Sequence, residues 1–469
     1  MKISIYNFKS ISSIVDYELK PFTILSGTNG SGKSSFIQLL LLLKQTIDID
    51  SAKYQLYLKG DLFQVKNYLD IIKDKSIDNK LRIVFKFEKS ELTRVKSSPE
   101  VGVYDSFDSY ICEIDILFEY LNNKEAIGKF SISFNLTEGE KRKQFIEFTN
   151  TGNGFSIKTN TAVFGDLLYY HPETKILNID YSSIYPSNYE CVLTEENGLA
   201  VHQKVVPKID GIKTLLNDFF KNIRYIGPLR EQPKDEYSIK GENSFVGTRG
   251  EFLAEVLEYH SNDPIEYCQL VENDGLIKYN LVKSKLIDAI KYWVCDIFNL
   301  STDVYAIKND DAYSILLVNK AGVKTTIKHV GFGISQILPI IVEGIRIPKG
   351  GTLILEQPEI HLHPKIQSLL FDFLNSLVQQ GKSVIIETHS DHLITRMRRR
   401  IAEDESNTLR NKINLTFIES DENANGILFR NIDLDDFGTI GYFPKDFIER
   451  PDIELKAILK AQMKKRLTK

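Results

Sequence analysis

The strongest pattern in the chain is an apolar stretch on either side of a short loop rich in glycine and serine. Residues 22–25 (Phe-Thr-Ile-Leu) form a mostly apolar run, which predicts a short buried strand. Residues 36–43 are apolar except for Gln38, which is typical of a helix buried on most of its surface. The loop between them, residues 27–34, reads Gly-Thr-Asn-Gly-Ser-Gly-Lys-Ser. The pattern therefore predicts a strand, a tight loop and a buried helix in succession.

Alternating polar and apolar residues dominate the next part of the chain. Four segments alternate in this way and are separated by turn-forming residues: 81–88, 110–116, 129–136 and 144–148. This spacing predicts an antiparallel sheet between residues 80 and 160. Residues 209–222 and 250–298 are interpreted as helical, and the polar residues 233–243 as a loop.

The last third of the chain contains apolar runs that end in polar side chains. Residues 352–355 precede Glu356, and residues 384–389 (Val-Ile-Ile-Glu-Thr-His) predict a buried strand that ends in His389. Before both runs, residues 330–336 (Val-Gly-Phe-Gly-Ile-Ser-Gln) predict a turn that opens an apolar helix. Residues 413–419 predict a final strand.

Composition narrows the class of protein. The 469 residues include 42% hydrophobic and 26% charged residues, which is ordinary for a globular chain, and the formal net charge of −4 gives no overall bias toward polyanions. The widely spaced Cys112, Cys191, Cys268 and Cys295 are interpreted as buried thiols in a reducing compartment. The chain opens with a predicted strand and has no run long enough to span a bilayer, so we expect a cytoplasmic protein without a membrane segment.

The glycine-rich loop carries the clearest chemistry. Residues 27–34 have the spacing of a phosphate-binding P-loop, Gly-X-X-X-X-Gly-Lys-Ser/Thr. Its glycines let backbone N–H groups approach phosphates, and the start of the following helix adds positive potential. Lys33 is predicted to reach the β- and γ-phosphates, and the Ser34 hydroxyl to bind Mg²⁺. The sequence thus predicts ATP and Mg²⁺ as cofactors.

The order of P-loop, Gly/Ser turn, acid-tipped strand and His-tipped strand resembles the ATP-binding-cassette (ABC) ATPases. The similar branch is the soluble one that includes RecF, SMC heads and the overcoming-lysogenization-defect (OLD) proteins. Residues 5–10 (Ile-Tyr-Asn-Phe-Lys-Ser) resemble the first strand of RecF-like heads, and residues 359–364 (Glu-Ile-His-Leu-His-Pro) resemble the AAA15/AAA21 group of bacterial ATPases. Further similarity to that group lies in residues 225–230, 246–251 and 442–447.

The resemblance implies a fold and a division into domains. The expected fold is α/β: a P-loop ABC ATPase head with an antiparallel β lobe and a helical insertion, without a long coiled coil. The expected division assigns the two halves of the ATPase core to residues 1–75 and 326–420, a β-rich lobe to 76–208, a mainly helical insertion to 209–325 and a small C-terminal region to 421–469.

The resemblance also implies roles for individual residues. ATP would be held by Lys9 and by the P-loop residues Asn29, Gly30, Gly32, Lys33, Ser34 and Ser35. Mg²⁺ would be held by Ser34, Glu356 and, at the Q-loop position, Gln64. Gly333, Ser335 and Gln336 would form the signature loop, which contacts the γ-phosphate bound to a second head, so that ATP joins two heads. His389 would sense the γ-phosphate.

The strand that ends at Glu356 departs from the usual pattern, in which a second acid follows the first. Gln357 occupies the second position, and an amide can orient water but cannot accept its proton. We favour Glu359 as the substitute base. Capping of the next helix by Glu359 is one alternative, and slow hydrolysis with ATP acting mainly as a clamp is another.

Two functional classes stay open. In the first, the protein is the ATP-dependent sensor or scaffold of a bacterial antiphage complex, as in Septu, PARIS and certain retrons, to which many AAA15/AAA21 relatives belong. A separate effector, such as a nuclease or toxin, is then expected, because the residues after His389 lack the clustered acids of the OLD nuclease. Asp433, Asp435 and Asp436 precede Gly438 and are interpreted as a turn and not as a metal site.

The second class is a RecF-like DNA-repair or DNA-clamping ATPase. The arginines at 396 and 398–400, together with the basic tail, are the residues that would contact nucleic acid. A solvated helix face is the simpler interpretation of this charge. A nucleotide-binding scaffold without turnover is a third possibility.

Overall fold

The computed structural model describes residues 1–28, 30–92, 95, 97–104, 109–121, 124–136, 143–164, 166–170, 174–194, 200–239, 241, 244–273, 276–421 and 426–441. Three predictions lie outside the described residues: the role of Asn29, the similarity at residues 442–447 and the basic tail.

The strands, in chain order, are β1 (Lys2–Phe8), β2 (Ile11–Glu18), β3 (Phe22–Gly27), β4 (Leu81–Glu88), β5 (Tyr110–Leu121), β6 (Lys124–Leu136), β7 (Lys143–Asn150), β8 (Phe155–Thr159), β9 (Lys175–Ser182), β10 (Tyr185–Thr194), β11 (Ala200–Val205), β12 (Ile223–Ile226), β13 (Tyr237–Ser238), β14 (Pro264–Asn273), β15 (Leu276–Lys285), β16 (Asp303–Asn309), β17 (Ala312–Val318), β18 (Lys324–Thr326), β19 (Thr352–Glu356), β20 (Ser383–Glu387), β21 (Ile413–Asp421) and β22 (Gly426–Asn431).

The α-helices are α1 (Lys33–Ile49), α2 (Pro99–Gly102), α3 (Asp166–Tyr170), α4 (Asp210–Lys221), α5 (Leu253–His260), α6 (Leu286–Lys291), α7 (Phe332–Arg346), α8 (Pro364–Gln379), α9 (Asp391–Ala402) and α10 (Leu409–Lys412). The longest helix among the described residues, α1, has 17 residues, in keeping with the expected absence of a long coiled coil. No helix in the described ranges has the length and apolar character needed to cross a membrane.

The central sheet of the protein has the strand order β12-β19-β20-β3-β21-β22. All neighbouring strands in it are parallel except the β21–β22 pair. Strands of a parallel sheet are covered on both faces, which explains why their sequences are continuously apolar instead of alternating. Four of these strands, β19, β20, β3 and β21, are consecutive neighbours in the sheet. They correspond to the strands predicted at residues 352–356, 384–389, 22–25 and 413–419.

The predicted antiparallel sheet is also present, in the order β2-β1-β4-β5-β6-β7-β8. Apolar residues face one another across its strands, as in the row formed by Ile5, Ile83, Ile116 and Phe130. The hairpin β1–β2 belongs to this sheet, although residues 1–75 were expected to belong to the ATPase core. The polypeptide therefore crosses from the antiparallel sheet into the central sheet just before the P-loop.

Helix α1 lies between the two sheets, and this position explains its apolar sequence. One buried cluster contains Ile37 of α1, Phe85 of the antiparallel sheet and Ile354 of the central sheet. On the other face of the central sheet, a second cluster joins its strands to α5, α7 and α8, for example through the stacked rings of Phe22 and Phe371, 5.3 Å apart. The fold class expected from the sequence is confirmed: an α/β ATPase head with an added antiparallel sheet.

The expectation of a mainly helical segment at residues 209–325 is wrong, because strands make up much of the segment. Residues 223–226 form β12, an edge strand of the central sheet beside β19. Residues 264–273 and 276–285, predicted to be helical, form the antiparallel strands of the hairpin β14–β15. This hairpin lies against α8, where Asn375 donates a hydrogen bond to the Tyr279 hydroxyl at 2.9 Å. The strands β16–β18 follow, so the segment combines helices and strands.

Two of the arginines that follow β20, the buried Arg400 and the half-buried Arg396, belong to an ion-pair cluster. Arg396 and Arg400 of α9 both bind Asp372 of α8, with Nε–carboxylate distances of 2.9 and 2.7 Å. Asp372 has no exposed surface, and Arg400 is 4% exposed. Both earlier interpretations, a solvated helix face and a phosphate-contacting surface, are wrong for these two residues, because their charge is used to join α9 to α8.

The other two arginines of this run also have internal partners. Arg399 pairs with Glu403 at 2.6 Å, and Arg398 donates to the carbonyl of Gly438 at 2.8 Å. Gly438 lies in the Asp-rich segment, which is a turn as predicted: Asp435 accepts hydrogen bonds from the backbone of Phe437 and Thr439. The described residues contain no group of three or more His, Cys, Asp or Glu side chains suited to hold a metal ion.

Candidate functional site

The P-loop adopts a backbone conformation that depends on its glycines. Gly27, Gly30 and Gly32 have φ angles of 149°, 77° and 86°. A Cβ atom on Gly27 would overlap the carbonyl of Ile418 in β21, and one on Gly32 would overlap the Ser10 hydroxyl. A Cβ atom on Gly30 would meet nothing within 4 Å, so this part of the loop is open to a ligand. Helix α1 starts directly after the loop, at Lys33.

Lys33 lies across its own loop. Its ammonium group donates to the carbonyls of Gly27 and Thr28 at 3.0 and 2.7 Å, and the residue is 4% exposed. Burial lowers the pKa of Lys33, and the nearby carboxylates of Glu387 and Glu359 partly restore it. A buried cation at the start of a helix is suited to hold the phosphates of a nucleotide.

The turn between β1 and β2 packs on the first turns of α1. Ser10 and Ser35 share a hydrogen bond of 2.9 Å, and Lys9 donates to Gln38 at 2.6 Å. The Lys9 ammonium also lies 4.5 Å from the centre of the Phe63 ring. This contact brings Lys9, and the segment that carries Gln64, close to the helix that the P-loop opens. Burial lowers the pKa of Lys9.

Gln45, a residue that was not predicted from the sequence, secures this segment. Gln45 is buried in α1, and its side chain binds both the N–H and the carbonyl of Phe63, at 2.9 and 2.8 Å. Gln64, the next residue, is exposed. The available signal in the sequence was weak, because Gln45 follows the apolar run of residues 36–43 and stands between Lys44 and Thr46. Once buried, its amide requires hydrogen-bond partners.

Three carboxylates lie at or just beyond the ends of the central strands β19 and β20: Glu356, Glu359 and Glu387. Glu356 and Glu387 are in register on the adjacent strands β19 and β20. The Ser34 hydroxyl donates to the Glu387 carboxylate at 3.0 Å. No role was predicted for Glu387, because His389 was the only residue of this segment expected to act at the site. Burial raises the pKa of Glu387.

The Glu356 carboxylate is hydrogen-bonded by a residue of β12, the strand that neighbours β19 on the side opposite β20. The Tyr225 hydroxyl of β12 donates to its carboxylate at 2.8 Å. Burial raises the pKa of Glu356 to about 7, and the negative charge of Glu387 adds to the shift, whereas the Tyr225 bond and the charge of Arg230 oppose it.

Glu359 binds the backbone of the neighbouring strand end. Its carboxylate accepts a hydrogen bond of 2.7 Å from the His389 N–H, and the residue is 9% exposed. This contact fixes the segment after β20, and so gives Glu359 a structural role that differs from both roles considered in the sequence analysis. Burial raises its pKa.

The turn after β19 is tight, and an arginine side chain donates hydrogen bonds to its backbone carbonyls. Gln357 has a φ angle of 44°, unusual for a residue other than glycine, and its N–H donates to the Glu387 carbonyl at 2.8 Å. Arg230, 5% exposed, donates to the carbonyls of Gln357 and Glu356 at 3.2 and 3.4 Å. Burial lowers the pKa of Arg230 to about 10, and the charges of Glu359, Tyr225 and Glu356 oppose this shift.

The predicted signature loop forms the start of α7. Gly331 precedes the helix, and no side chain caps its first N–H groups. The Ser335 hydroxyl donates to the Phe332 carbonyl at 2.7 Å; Ser335 and Gln336 are 6% and 2% exposed. Phe332, 44% exposed, is the side chain presented outward, and its ring lies 5.0 Å from that of His361. Gly333 lies beside the His361 carbonyl.

His389 reaches the surface near the P-loop lysine. Partial burial lowers the pKa of its ring, and the positive charge of Lys33 lowers it further. The ring is therefore neutral near pH 7, in the form that can accept or donate a hydrogen bond at a phosphate.

The side chains at this site fit a magnesium–nucleotide complex. Mg²⁺ prefers oxygen ligands and in proteins is held by one or two carboxylates together with the phosphates of its substrate. The Ser34 hydroxyl and the Glu387 carboxylate supply such oxygens side by side, with Glu356 on the next strand. The small number of protein ligands agrees with a metal that arrives with its nucleotide.

A glycine loop between a parallel strand and a helix, faced by acids from the neighbouring strands, defines a P-loop nucleotide-binding protein. A family model described as AAA ATPase domain, AAA_15, matches residues 1–394. The chain belongs to this family of ATPases, which confirms the predicted resemblance to the AAA15 group.

Solved SMC head structures are similar over most of the chain at low identity. The first is the SMC head domain from Thermotoga maritima, with 10% identity over 92% of this chain and 98% of that chain and a TM-score of 0.36. The second is an SMC head bound to the C-winged helix domain of ScpA, with 11% identity over 92% of this chain and 98% of that chain and a TM-score of 0.41. The third is an SMC head with an extended coiled coil bound to the C-terminal domain of ScpA, derived from Pyrococcus furiosus, with 10% identity over 92% of this chain and 96% of that chain and a TM-score of 0.36. No curated protein gives a significant match.

Proposed function

We propose that the protein binds ATP together with Mg²⁺ at the P-loop, hydrolyses it slowly, and pairs with a second copy of itself when ATP is bound. The observation that carries the proposal is the arrangement around Ser34. The P-loop serine, the buried Lys33 and a strand-end carboxylate occupy one site at the start of α1. The direct test is titration with ATP and measurement of phosphate release.

The expected hydrolysis is slow because the position of the usual base holds Gln357. The magnesium ion, when bound, neutralises charge on the phosphates and favours attack by water. Lys33 would bind the phosphates, and His389 would hydrogen-bond the terminal one. Gln357 can orient a water molecule but has no proton affinity near neutral pH. Glu359 stays a candidate base, although its carboxylate already accepts a bond from His389.

The start of α7 is the surface that would meet the partner head. Its uncapped N–H groups and the positive end of the helix dipole favour an anion. Phe332 is exposed there, whereas Ser335 is turned into its own helix. We therefore expect backbone N–H groups of residues 332–335 to contact the partner's γ-phosphate, with Phe332 at the interface.

We expect Phe332→Glu to prevent ATP-dependent pairing, because a carboxylate at this helix end would repel the partner's phosphate. In the presence of a non-hydrolysable ATP analogue, light scattering should show twice the monomer mass for the unchanged protein and the monomer mass for the variant. The matched control is Phe437→Glu, since Phe437 is 80% exposed on the Asp435 turn. Equal masses for Phe332→Glu and Phe437→Glu would remove α7 from the interface.

We propose the role of sensor or scaffold in an antiphage complex, with a separate effector, over that of a DNA clamp. The support for this role is the resemblance of residues 359–364 to the AAA15/AAA21 group, many of whose members belong to antiphage systems. The competing DNA-clamping proposal depended on the arginines of α9, which are paired with Asp372, Glu403 and Gly438 instead of forming a free basic surface.

If the sensor proposal is correct, the chain expressed with its neighbouring genes should reduce the number of phage plaques, and Lys33→Ala should restore them. The reason is that a sensor without ATP cannot hold or release its effector. Lys44→Ala, made in the same helix away from the loop, should retain protection. Equal plaque counts with and without the locus, combined with tight duplex binding in a gel-shift assay, would favour the DNA-clamping function.

A further inference from the structure

Glu387 is the acid that contacts the predicted metal-binding serine. Its two carboxylate oxygens lie 3.0 and 3.4 Å from the Ser34 hydroxyl. Its charge also acts on the buried Lys33 ammonium. Glu356, the acid at the end of β19, was the residue expected beside Ser34.

The order of strands explains why Glu387 and not Glu356 is adjacent to Ser34. Strand β20 lies between β19 and the P-loop strand β3. Neighbouring strands are about 4.8 Å apart, so Glu356 starts one strand spacing farther from the P-loop than Glu387 does. In addition, Tyr225 binds the Glu356 carboxylate from β12, on the side of β19 that faces away from β3.

The register of β19 and β20 places the two carboxylates side by side. Glu356 and Glu387 are directly paired, so their side chains leave the sheet on the same face. The second acid, which the sequence lacks at Gln357, is thus supplied from the next strand. A divalent cation between Ser34 and Glu387 would also reduce the repulsion between the two acids.

We infer that Glu387 is a further residue that positions Mg²⁺ at this site, through the Ser34 hydroxyl that it contacts, in addition to the strand-end acid Glu356. This inference rests on the proposed binding of ATP. It gives β20, the strand that precedes His389, a part in metal binding beside Glu356 of the paired strand β19.

The inference is tested by titrating the full-length protein with a fluorescent, non-hydrolysable ATP analogue, once with Mg²⁺ and once with EDTA. Loss of a group that orients metal ligands typically lowers metal affinity 10–100-fold. We expect Glu387→Gln to abolish the tightening of binding by Mg²⁺ and to leave binding in EDTA unchanged. Glu387→Asp should recover part of the Mg²⁺ effect. Glu419→Gln is the matched control, on β21, the other strand beside β3; it should keep the Mg²⁺ effect, because the Glu419 carboxylate pairs with Arg430.

Two outcomes would overturn the inference. Retention of the Mg²⁺ effect in Glu387→Gln would leave Glu356 as the acid that positions the metal and give Glu387 no part in it. Equal weakening of binding with Mg²⁺ and with EDTA in Glu387→Gln would show a purely structural role. If the unchanged protein binds the analogue in neither condition, the proposed function itself is wrong, and that result is distinct from the other two.

Discussion

Lys33→Ala should weaken ATP binding at least about 100-fold, or roughly 2.7 kcal/mol. Lys33 is 4% exposed, and its ammonium group lies against the loop carbonyls of Gly27 and Thr28. A charge in such a desolvated place interacts strongly with an anion, and truncation of one partner of a buried charge pair typically costs about 2–5 kcal/mol. Isothermal titration calorimetry with ATP and Mg²⁺ measures the effect.

The matched control for this variant is Lys44→Ala. Lys44 is another buried lysine of α1, and it pairs with Asp48 at 2.9 Å. Its removal should lower stability, because the buried Lys44 ammonium also donates to the carbonyls of Phe220 and Lys221 at 3.4 Å. It should leave ATP affinity within about twofold, because Lys44 lies about three helical turns beyond Lys33 on α1. Unchanged ATP binding by Lys33→Ala, in a protein whose thermal unfolding is also unchanged, would contradict the assignment of the P-loop.

Asp372→Asn should lower the free energy of unfolding by about 3–5 kcal/mol, which is typical when one partner of a buried ion pair is removed. The asparagine has nearly the same size, so the packing between α8 and α9 is conserved. The change leaves Arg400, 4% exposed, and Arg396 without their shared carboxylate. Urea unfolding followed by circular dichroism gives the free energy.

Arg399→Ala is the control, because Arg399 pairs with Glu403 at the surface of the same helix, with 56% of its side chain exposed. An exposed pair four residues apart on a helix contributes about 0.3–0.5 kcal/mol. If Asp372→Asn were as stable as Arg399→Ala, the Asp372 cluster would not be the contact that joins α9 to α8, and the arginines would again be available for a nucleic-acid surface.

The arginines of α9 show why charge in a sequence does not by itself identify an interface. Four basic residues in five positions predict a charged surface, since an unpaired arginine is rarely buried. The partner that makes burial possible, Asp372, is on a different helix, 24 residues away from Arg396 and 28 away from Arg400. Only the packing of α8 against α9 brings them together.

The hairpin β14–β15 illustrates the same limit for secondary structure. Its second strand carries apolar residues at spacings that fit either a helix or a strand, and most of its residues are half-buried or exposed. The intrinsic preference for helix or strand is weak in such a segment, so contacts with the rest of the protein determine which of the two forms. Here the decision comes from pairing with β14 and from contacts to α8, such as the bond between Tyr279 and Asn375.

The sequence by itself determined the P-loop, the buried strands of the central sheet and the antiparallel sheet. These features follow from local rules: glycine spacing sets the loop backbone, and the period of apolar residues sets the type of element. The tertiary structure alone decided which acid contacts Ser34. Glu356, Glu359 and Glu387 are equivalent in type and lie at or just beyond strand ends, and their roles differ because β20 is inserted between β19 and β3. Strand order depends on how distant segments pack together, and a single sequence does not display it.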